Sequence, residues 1–520
     1  MTVVGLATAQ PGDGGSAKAQ PTPAAPTAGT DTTVAKNAFY LVLGQVAMTA
    51  LGLVLSAGLG RLLGTIDFGV YYLITTTMTF ASVFVEWGQP VIVIREIAKD
   101  HSRSGQLLGT TLALRALFAV LTLPPVWFVA SALGYDARTH WLSILLIVAT
   151  LPFFLGQAYG MAFRAHDRMA GDSAVSVTNK ALTLVVALPA LLLGWGILGV
   201  VFAQGVAGVA ALGVGIFFYR RLRATPLAFS SETARHLVTS GVPILAMTAA
   251  ISIQPYLDAI ILSKLAPANV IGWFGAARNI LGTLMAPAVI MGAAAYPRLS
   301  RASTDPVALR REVQSAFRPL LWLGALAGTG TYLFARAVVD LIYGATGFGP
   351  AATILEVFAP GLFLLFVDIL LGNIIYASGG GTTAFAIAKV ASVVVGSALD
   401  IVLIPIFQAR FGNGGIGVVV AFALSEFVVF VGAMVAFPRR TLTRATAVDV
   451  ARAIAVAGLT VLLFHFAGAI SPWAAMPLCV AVFAAISLAL GLVGKSDLAM
   501  LVSLVTRKKP AQASPTDVAP

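Results

Sequence analysis

From residue 38 to residue 494 the chain is a succession of apolar runs, each about 20 residues long and so able to cross the ~30 Å hydrocarbon core of a bilayer as a helix. Little else constrains a fold so tightly, because a backbone in lipid must satisfy its own hydrogen bonds, which only helices and closed barrels do. Fourteen spans are predicted, at 38–60, 67–88, 112–134, 141–163, 173–194, 196–218, 242–263, 271–294, 319–342, 352–376, 383–407, 415–437, 449–470 and 473–494. Only "GWG", Gly194 to Gly196, divides the fifth from the sixth. The chain is 58% hydrophobic and 10% charged, whereas a soluble domain carries roughly 25% charged residues. The expected fold class is an all-α polytopic membrane protein.

Lys and Arg concentrate in short cytoplasmic loops. With both termini in the cytoplasm, 25 of the 33 basic residues fall to cytoplasmic segments, with Lys180 and Arg452 counted in the loops before their spans, and the outer loops hold Arg61, Arg138, Lys264 and Arg410. Arg115, Arg278, Arg336 and Lys389 lie within spans or at their ends. The net charge of +12 therefore reflects topology and attraction to anionic lipid, and does not point to nucleic acid. Residues 1–35 and 495–520 are expected to be disordered cytosolic tails. The single cysteine, Cys479, excludes a disulfide framework within the chain. No segment outside the apolar runs is long enough to bury the core of a soluble catalytic domain.

"RLLGTIDFGVY" (Arg61 to Tyr71) and "KLAPANVIGWF" (Lys264 to Phe274) share a basic residue, Leu, a Gly eight residues after the basic residue and a following aromatic, at an offset of 203. The same offset carries Arg95 onto Arg298 and Arg115 onto Arg318. Spans one to three thus correspond to seven to nine, and a spacing of six spans makes the repeats parallel. The expected organisation is an N-lobe (36–223, spans one to six), a C-lobe (224–438, spans seven to twelve) and an additional helix pair (439–494).

"GRLLGTIDFGVYYL", "VIREIA", "YLDAIILSKLAPANVIGWFGAARNI", "AYPRLSR" and "LDIVLIP" before a Gly-rich turn resemble the polysaccharide transporter or oligosaccharide flippase family. That family belongs to the multidrug/oligosaccharidyl-lipid/polysaccharide (MOP) exporter superfamily. The resemblance runs from about residue 36 to about residue 494, most specifically around Gly69 and Gly272. It implies two six-helix bundles around a central cavity, in a multi-pass protein of the bacterial inner membrane with both termini cytoplasmic. It further implies alternating-access movement of polyprenyl-diphosphate-linked oligosaccharide for cell-surface polysaccharide biosynthesis. Partners would be that lipid-linked substrate, the bilayer, and a polymerase or glycosyltransferases of the same pathway, around a monomeric transport unit.

Two other readings compete. A multidrug/cation antiporter of the same superfamily would have twelve spans, which the pair after Phe437 exceeds. A membrane polymerase or glycosyltransferase would need a sizeable outer loop with catalytic groups, and every outer loop here is short, so no enzyme activity is expected. "GNGGIG" (Gly412, Gly414, Gly417) joins two spans and follows no strand, so it reads as a turn and not as a dinucleotide site. "GKS" (Gly494 to Ser496) lacks the first glycine of a phosphate-binding loop, since that place holds Ala489. His101, His140, His166, His236 and His465 share no ligand spacing. No cofactor and no metal are expected.

The charges inside spans are Glu86, Asp258, Arg278, Asp368, Lys389, Asp400 and Glu426, each costing at least ~2.5 kcal/mol at a helix centre. A structural ion pair is the plain reading for all of them, and more so for Glu86, Arg115, Arg336 and Glu356 near span ends. Asp258 and Arg278 flank the outer turn at Ala268 symmetrically, which predicts a pair at similar depth bordering the cavity, with Pro255 loosening the helix beside it. Lys389 and Asp400, eleven residues apart, share one helix face, and Asp368 approaches Lys389 across "ASGGGTT". Arg278 and Lys389 are the candidate substrate-binding cations for a diphosphate. Asp258, Asp368, Asp400 and Glu426 are their charge partners and the candidates for coupling to H⁺ or Na⁺. In superfamily relatives a cation site can involve carboxylates of the seventh and eleventh spans, here Asp258 and Asp400. This chain departs from that pattern at Gly396, where some relatives carry an asparagine.

Overall fold

The computed structural model describes residues 28–345, 347–378, 380–437, 444–466 and 471–493. Among them every regular element is helical. In chain order these are α1 (Ala28–Glu86), α2 (Gln89–Lys99), α3 (Ser104–Ala132), α4 (Ala137–Ala165), α5 (Met169–Leu192), α6 (Gly196–Leu222) and α7 (Ser231–Leu265). They continue with α8 (Ala268–Ala302), α9 (Pro306–Tyr343), α10 (Gly349–Ser378), α11 (Thr382–Phe411), α12 (Gly414–Ala436), α13 (Arg444–Phe466) and α14 (Pro472–Ala489). One 3-10 turn, His101–Arg103, precedes α3. The first tail was expected to reach residue 35, but α1 already begins at Ala28; the remainder of both tails, and "GKS", lie outside the described residues.

Twelve of these helices are long and apolar enough to cross a membrane, and bent α7 makes thirteen. The predicted fourteen differs because the first two spans fall in one element. The apolar part of α1, Leu43–Glu86, has 44 residues, about 66 Å of helix and twice one crossing. It does not run straight. Gly64 breaks it at φ 71° and ψ 177°, a conformation open mainly to glycine. Met48 and Thr75 then line one cavity, although they would stand about 40 Å apart along an unbroken helix. The chain therefore folds back at Gly64. The "GWG" division is also a genuine turn, since Gly194 and Gly196 both have positive φ.

The α7 bend is 45° and falls between Ala250 and Ser252. Pro255 explains its place: proline has no N–H for the carbonyl four residues earlier, that of Ile251, and its ring crowds that carbonyl.

The repeat is visible as reciprocal contact between α1 and α8. A Cβ on Gly69 would lie 2.5 Å from the Ala268 oxygen and 2.8 Å from the Gly272 nitrogen, and one on Gly272 would collide with the Thr65 oxygen. Thr65 and Ala268, like Gly69 and Gly272, are 203 residues apart, so each half presents the same patch to the other, as at a two-fold axis. The motif's basic residues follow the same logic. Arg61 donates from Nε to the Ile342 carbonyl at the end of α9 (2.9 Å), where helix carbonyls lack partners. Lys264 sits 3.7 Å from the centre of the Tyr135 ring, just beyond the end of α3. Two hydroxyl pairs close the same face: Ser56 with Tyr343 (2.7 Å), and Ser263 with Tyr135 (2.5 Å).

On the opposite face α7 docks on the first half. Trp87 Nε1 donates to the Val238 carbonyl (3.0 Å), and His236 Nε2 lies 2.7 Å from Glu96 Oε1. The last two helices pack on α9. Arg318 holds Asp449 of α13 (2.8 Å), and Trp322 Nε1 donates to Ser487 of α14 (3.0 Å).

The span count makes a direct prediction. Reporter fusions after Arg223, Arg311 and Arg444 should read as cytoplasmic, and fusions near Ala268 and Asn413 as external. Two reversed readings would contradict fourteen crossings.

Candidate functional site

Two polar regions lie within the helical layer. The first is a charge cluster among α7, α8, α10, α11 and α12, and it gathers all six residues singled out from the sequence. Lys389 on α11 donates to Asp368 on α10 at 2.6 Å, the pair expected across the α10–α11 turn. Glu426 on α12 is 5% exposed and sits in the field of Lys389, Asp368 and Arg278. Its Oε2 has no hydrogen-bond donor among the described residues.

Asp258 and Asp400 are 3% and 1% exposed, and their carboxyl groups lie within hydrogen-bonding reach of each other. No other donor among the described residues reaches Asp400. Two carboxylates so placed repel unless one proton is held between them. Beside them Gly396 has no side chain to offer, and the Gln254 amide fills that space: it passes 3.2 Å from where a Gly396 Cβ would stand and donates to Ser425 Oγ at 3.3 Å.

The expected Asp258–Arg278 pair takes a different form. Asp258 feels the Arg278 charge, but no ion pair within 4.0 Å joins them, and the guanidinium carbon instead stands 5.6 Å from the centre of the Phe422 ring. Equal distance from a turn matches depth but does not make two helices pack. Extended Pro267 (φ −63°, ψ 156°) separates α7 from α8, and α7 turns its Asp258 face to Asp400 of α11. Nor does Asp258 border the cavity described next.

The second region is a cavity of about 380 Å³ between both halves of α1, α5 and α8. Its wall includes Gln45, Thr49, Ser56, Tyr71, Tyr72, Lys180, Asn279 and Thr283, with one cation and no carboxylate. None of the six cluster residues lines it, although Arg278 is near enough for its charge to act on Tyr72 of the cavity wall. Lys180 is absent from the intramembrane charges read from the sequence, because the charge tally assigned it to the cytoplasmic segment after the fourth span. It lies eleven residues into α5, about 16 Å from the helix start. Its position inside the predicted 173–194 span was the available signal.

The remaining charged residues near span ends are engaged with neighbours. Arg115 is 1% exposed, donates to the Phe154 carbonyl and is partly balanced by Glu86. Arg336 pairs with Asp340 one turn on (2.9 Å) and acts on Glu356.

The family model for "Polysaccharide biosynthesis protein" matches residues 34–303. The chain belongs to that family. No curated protein sequence matches it. Among solved structures, the lipid II flippase MurJ in an inward closed conformation is similar over 90% of this chain and 100% of its own, with a TM-score of 0.67 and 14% identity. An inward-facing multidrug resistance MATE family transporter of the MOP superfamily is similar over 75% of this chain and 93% of its own, with a TM-score of 0.63 and 16% identity. A MOP superfamily transporter from Pyrococcus furiosus matches 78% of this chain and 94% of its own, with a TM-score of 0.57 and 15% identity. At these identities the likeness is one of fold. The family member described here is thus a multi-pass, all-helical membrane protein with the architecture of MOP-type transporters.

Proposed function

We propose that the protein moves polyprenyl-diphosphate-linked oligosaccharide across a bacterial inner membrane for cell-surface polysaccharide assembly, by alternating access and not as an enzyme. The cavity carries this reading. One ammonium and no carboxylate, set among hydroxyls, amides and aromatic rings, suit an anionic sugar headgroup and disfavour the lipophilic cations a multidrug antiporter exports. Family membership and the likeness in fold to MurJ over 90% of this chain support the same reading.

Within this reading the two regions divide the work. Lys389 is committed to Asp368 and holds α10 to α11. Arg278, with no carboxylate in salt-bridge range, is the cluster cation free to meet a diphosphate. Asp258 and Asp400, with Glu426, are the coupling groups. With one proton between Asp258 and Asp400, the six residues carry a net charge of about −1, which a second monovalent cation would neutralise.

The discriminating experiment follows a cationic dye and the surface glycan in the same cells. A strain lacking the protein should lose surface polysaccharide and accumulate its lipid-linked precursor. Overexpression should leave ethidium accumulation unchanged. Ethidium export together with normal polysaccharide in the deletion strain would overturn the reading in favour of a multidrug antiporter.

A further inference from the structure

We infer that Lys180, reaching the cavity across a notch at Gly52, is the anchoring cation for a phosphoryl group on a lipid carrier. This rests on the reading of the protein as a carrier of lipid-linked glycans, and names the atom that would hold the substrate's charge in the state described.

Lys180 belongs to α5, which lies behind the first half of α1 as seen from the cavity. Its side chain arrives there because α1 has no side chain in the way: a Cβ on Gly52 would stand 3.3 Å from Lys180 Cε and 3.9 Å from Nζ. The stem therefore lies along the Gly52 backbone. Among the described residues no ion pair or hydrogen bond engages the ammonium. The contrast with the charge cluster decides between the regions. There, Lys389 is already held by Asp368 and Arg278 acts on Asp258 and Glu426, so an arriving anion would compete with fixed acids. At Lys180 it would meet none.

An unpaired ammonium at this depth is unfavourable, and a ligand anion would offset that cost. The neighbouring donors suit phosphoryl oxygens. Gln45 and Thr49 stand on the same stretch of α1, one to two turns before Gly52, and face Asn279 of α8, whose amide donates one hydrogen to Ser56 (3.1 Å) and keeps a second; the Thr283 hydroxyl donates to the Asn279 carbonyl. Tyr71 and Tyr72 supply ring surface to a sugar or prenyl segment.

The test uses the purified full-length protein in lipid nanodiscs, with geranylgeranyl diphosphate, geranylgeraniol and inorganic pyrophosphate as probes. Wild type should bind the diphosphate about ten-fold or more tighter than geranylgeraniol or pyrophosphate. Lys180→Met, which keeps length and removes charge, should bring diphosphate affinity down to that of geranylgeraniol, while Lys180→Arg should stay within about three-fold of wild type. Thermal stability of Lys180→Met should equal or exceed wild type, so folding will not confuse the result. Three findings would overturn the proposal: diphosphate binding unchanged in Lys180→Met, no difference among the probes in wild type, or pyrophosphate binding as tight as the prenyl diphosphate with the same dependence on Lys180. The last would assign the site to a free anion. Glycolipid transport measured alongside separates the two claims. Lys180-dependent binding without transport would keep the site and reject the transport reading, and transport indifferent to Lys180→Met would do the reverse.

Discussion

Replacing Gly272 by valine should reduce glycan export by about 100-fold, equivalent to ~2.7 kcal/mol on the limiting step, in protein that still reaches the membrane. Any Cβ at Gly272 collides with the Thr65 carbonyl oxygen, and a backbone oxygen held in a helix cannot swing away as a flexible side chain would. The α1–α8 crossing would have to widen. The Ser56–Tyr343 and Tyr135–Ser263 pairs at the same face would then part, and the lobes could not close there. Gly69→Val should act alike, since its Cβ would meet the Ala268 oxygen at 2.5 Å. Gly330→Ala on α9, where no atom lies within 4 Å of the added carbon, should be indistinguishable from wild type. Export is to be measured beside membrane abundance and external labelling of a cysteine placed at Ala268. Full export by either valine variant would show that this crossing need not close during transport.

The second large effect concerns Lys389 and Asp368. Lys389→Met should lower stability by about 3 kcal/mol, because it leaves the Asp368 carboxylate largely buried without its partner, and abundance should fall accordingly. Asp368→Leu in the same chain should restore abundance, since exchanging a buried pair for apolar side chains is often neutral. Restored protein should also recover most of its export if, as proposed, Lys389 ties α10 to α11 through Asp368. Thermal unfolding in detergent and export in cells measure the two quantities. A double variant that is abundant but does not export would return Lys389 to the substrate-binding role first read from the sequence.

Much of this architecture could be read from the sequence, because membrane helices declare themselves by length and apolarity and loops by their basic residues. The turn at Gly64 and the division at Gly194 to Gly196 coincide with predicted boundaries, and the offset of 203 reappears as contact between Gly69 and Gly272. The Lys389–Asp368 pair was visible because its two helices are joined by a tight turn. Asp258 shows the limit of that reasoning. Its position along the chain set its depth, but its partner depended on which helix α7 packs against, and the break at Ile251 and Pro255 turns it toward α11. Asp400, 142 residues away in sequence, was joined to it only through the resemblance to relatives with carboxylates in the seventh and eleventh spans, since spacing along the chain relates Asp400 to Lys389 alone. Lys180 was missed for a different reason: charge counting treats a lysine near a cytoplasmic loop as part of it, and the Gly52 notch that brings this one inward exists only once α1 and α5 are side by side.

Transbilayer movement in a defined system tests the central claim most directly. Purified protein is to be reconstituted into vesicles carrying a fluorescent polyprenyl-diphosphate oligosaccharide in both leaflets, and the fraction accessible to an external quencher followed with time. The account predicts that the accessible fraction rises from about half toward completion with wild type, stays near half with Gly272→Val, and depends on the H⁺ or Na⁺ gradient only while Asp258 and Asp400 are intact. Wild-type vesicles that stay at half under every gradient, while a cationic dye is moved instead, would contradict it.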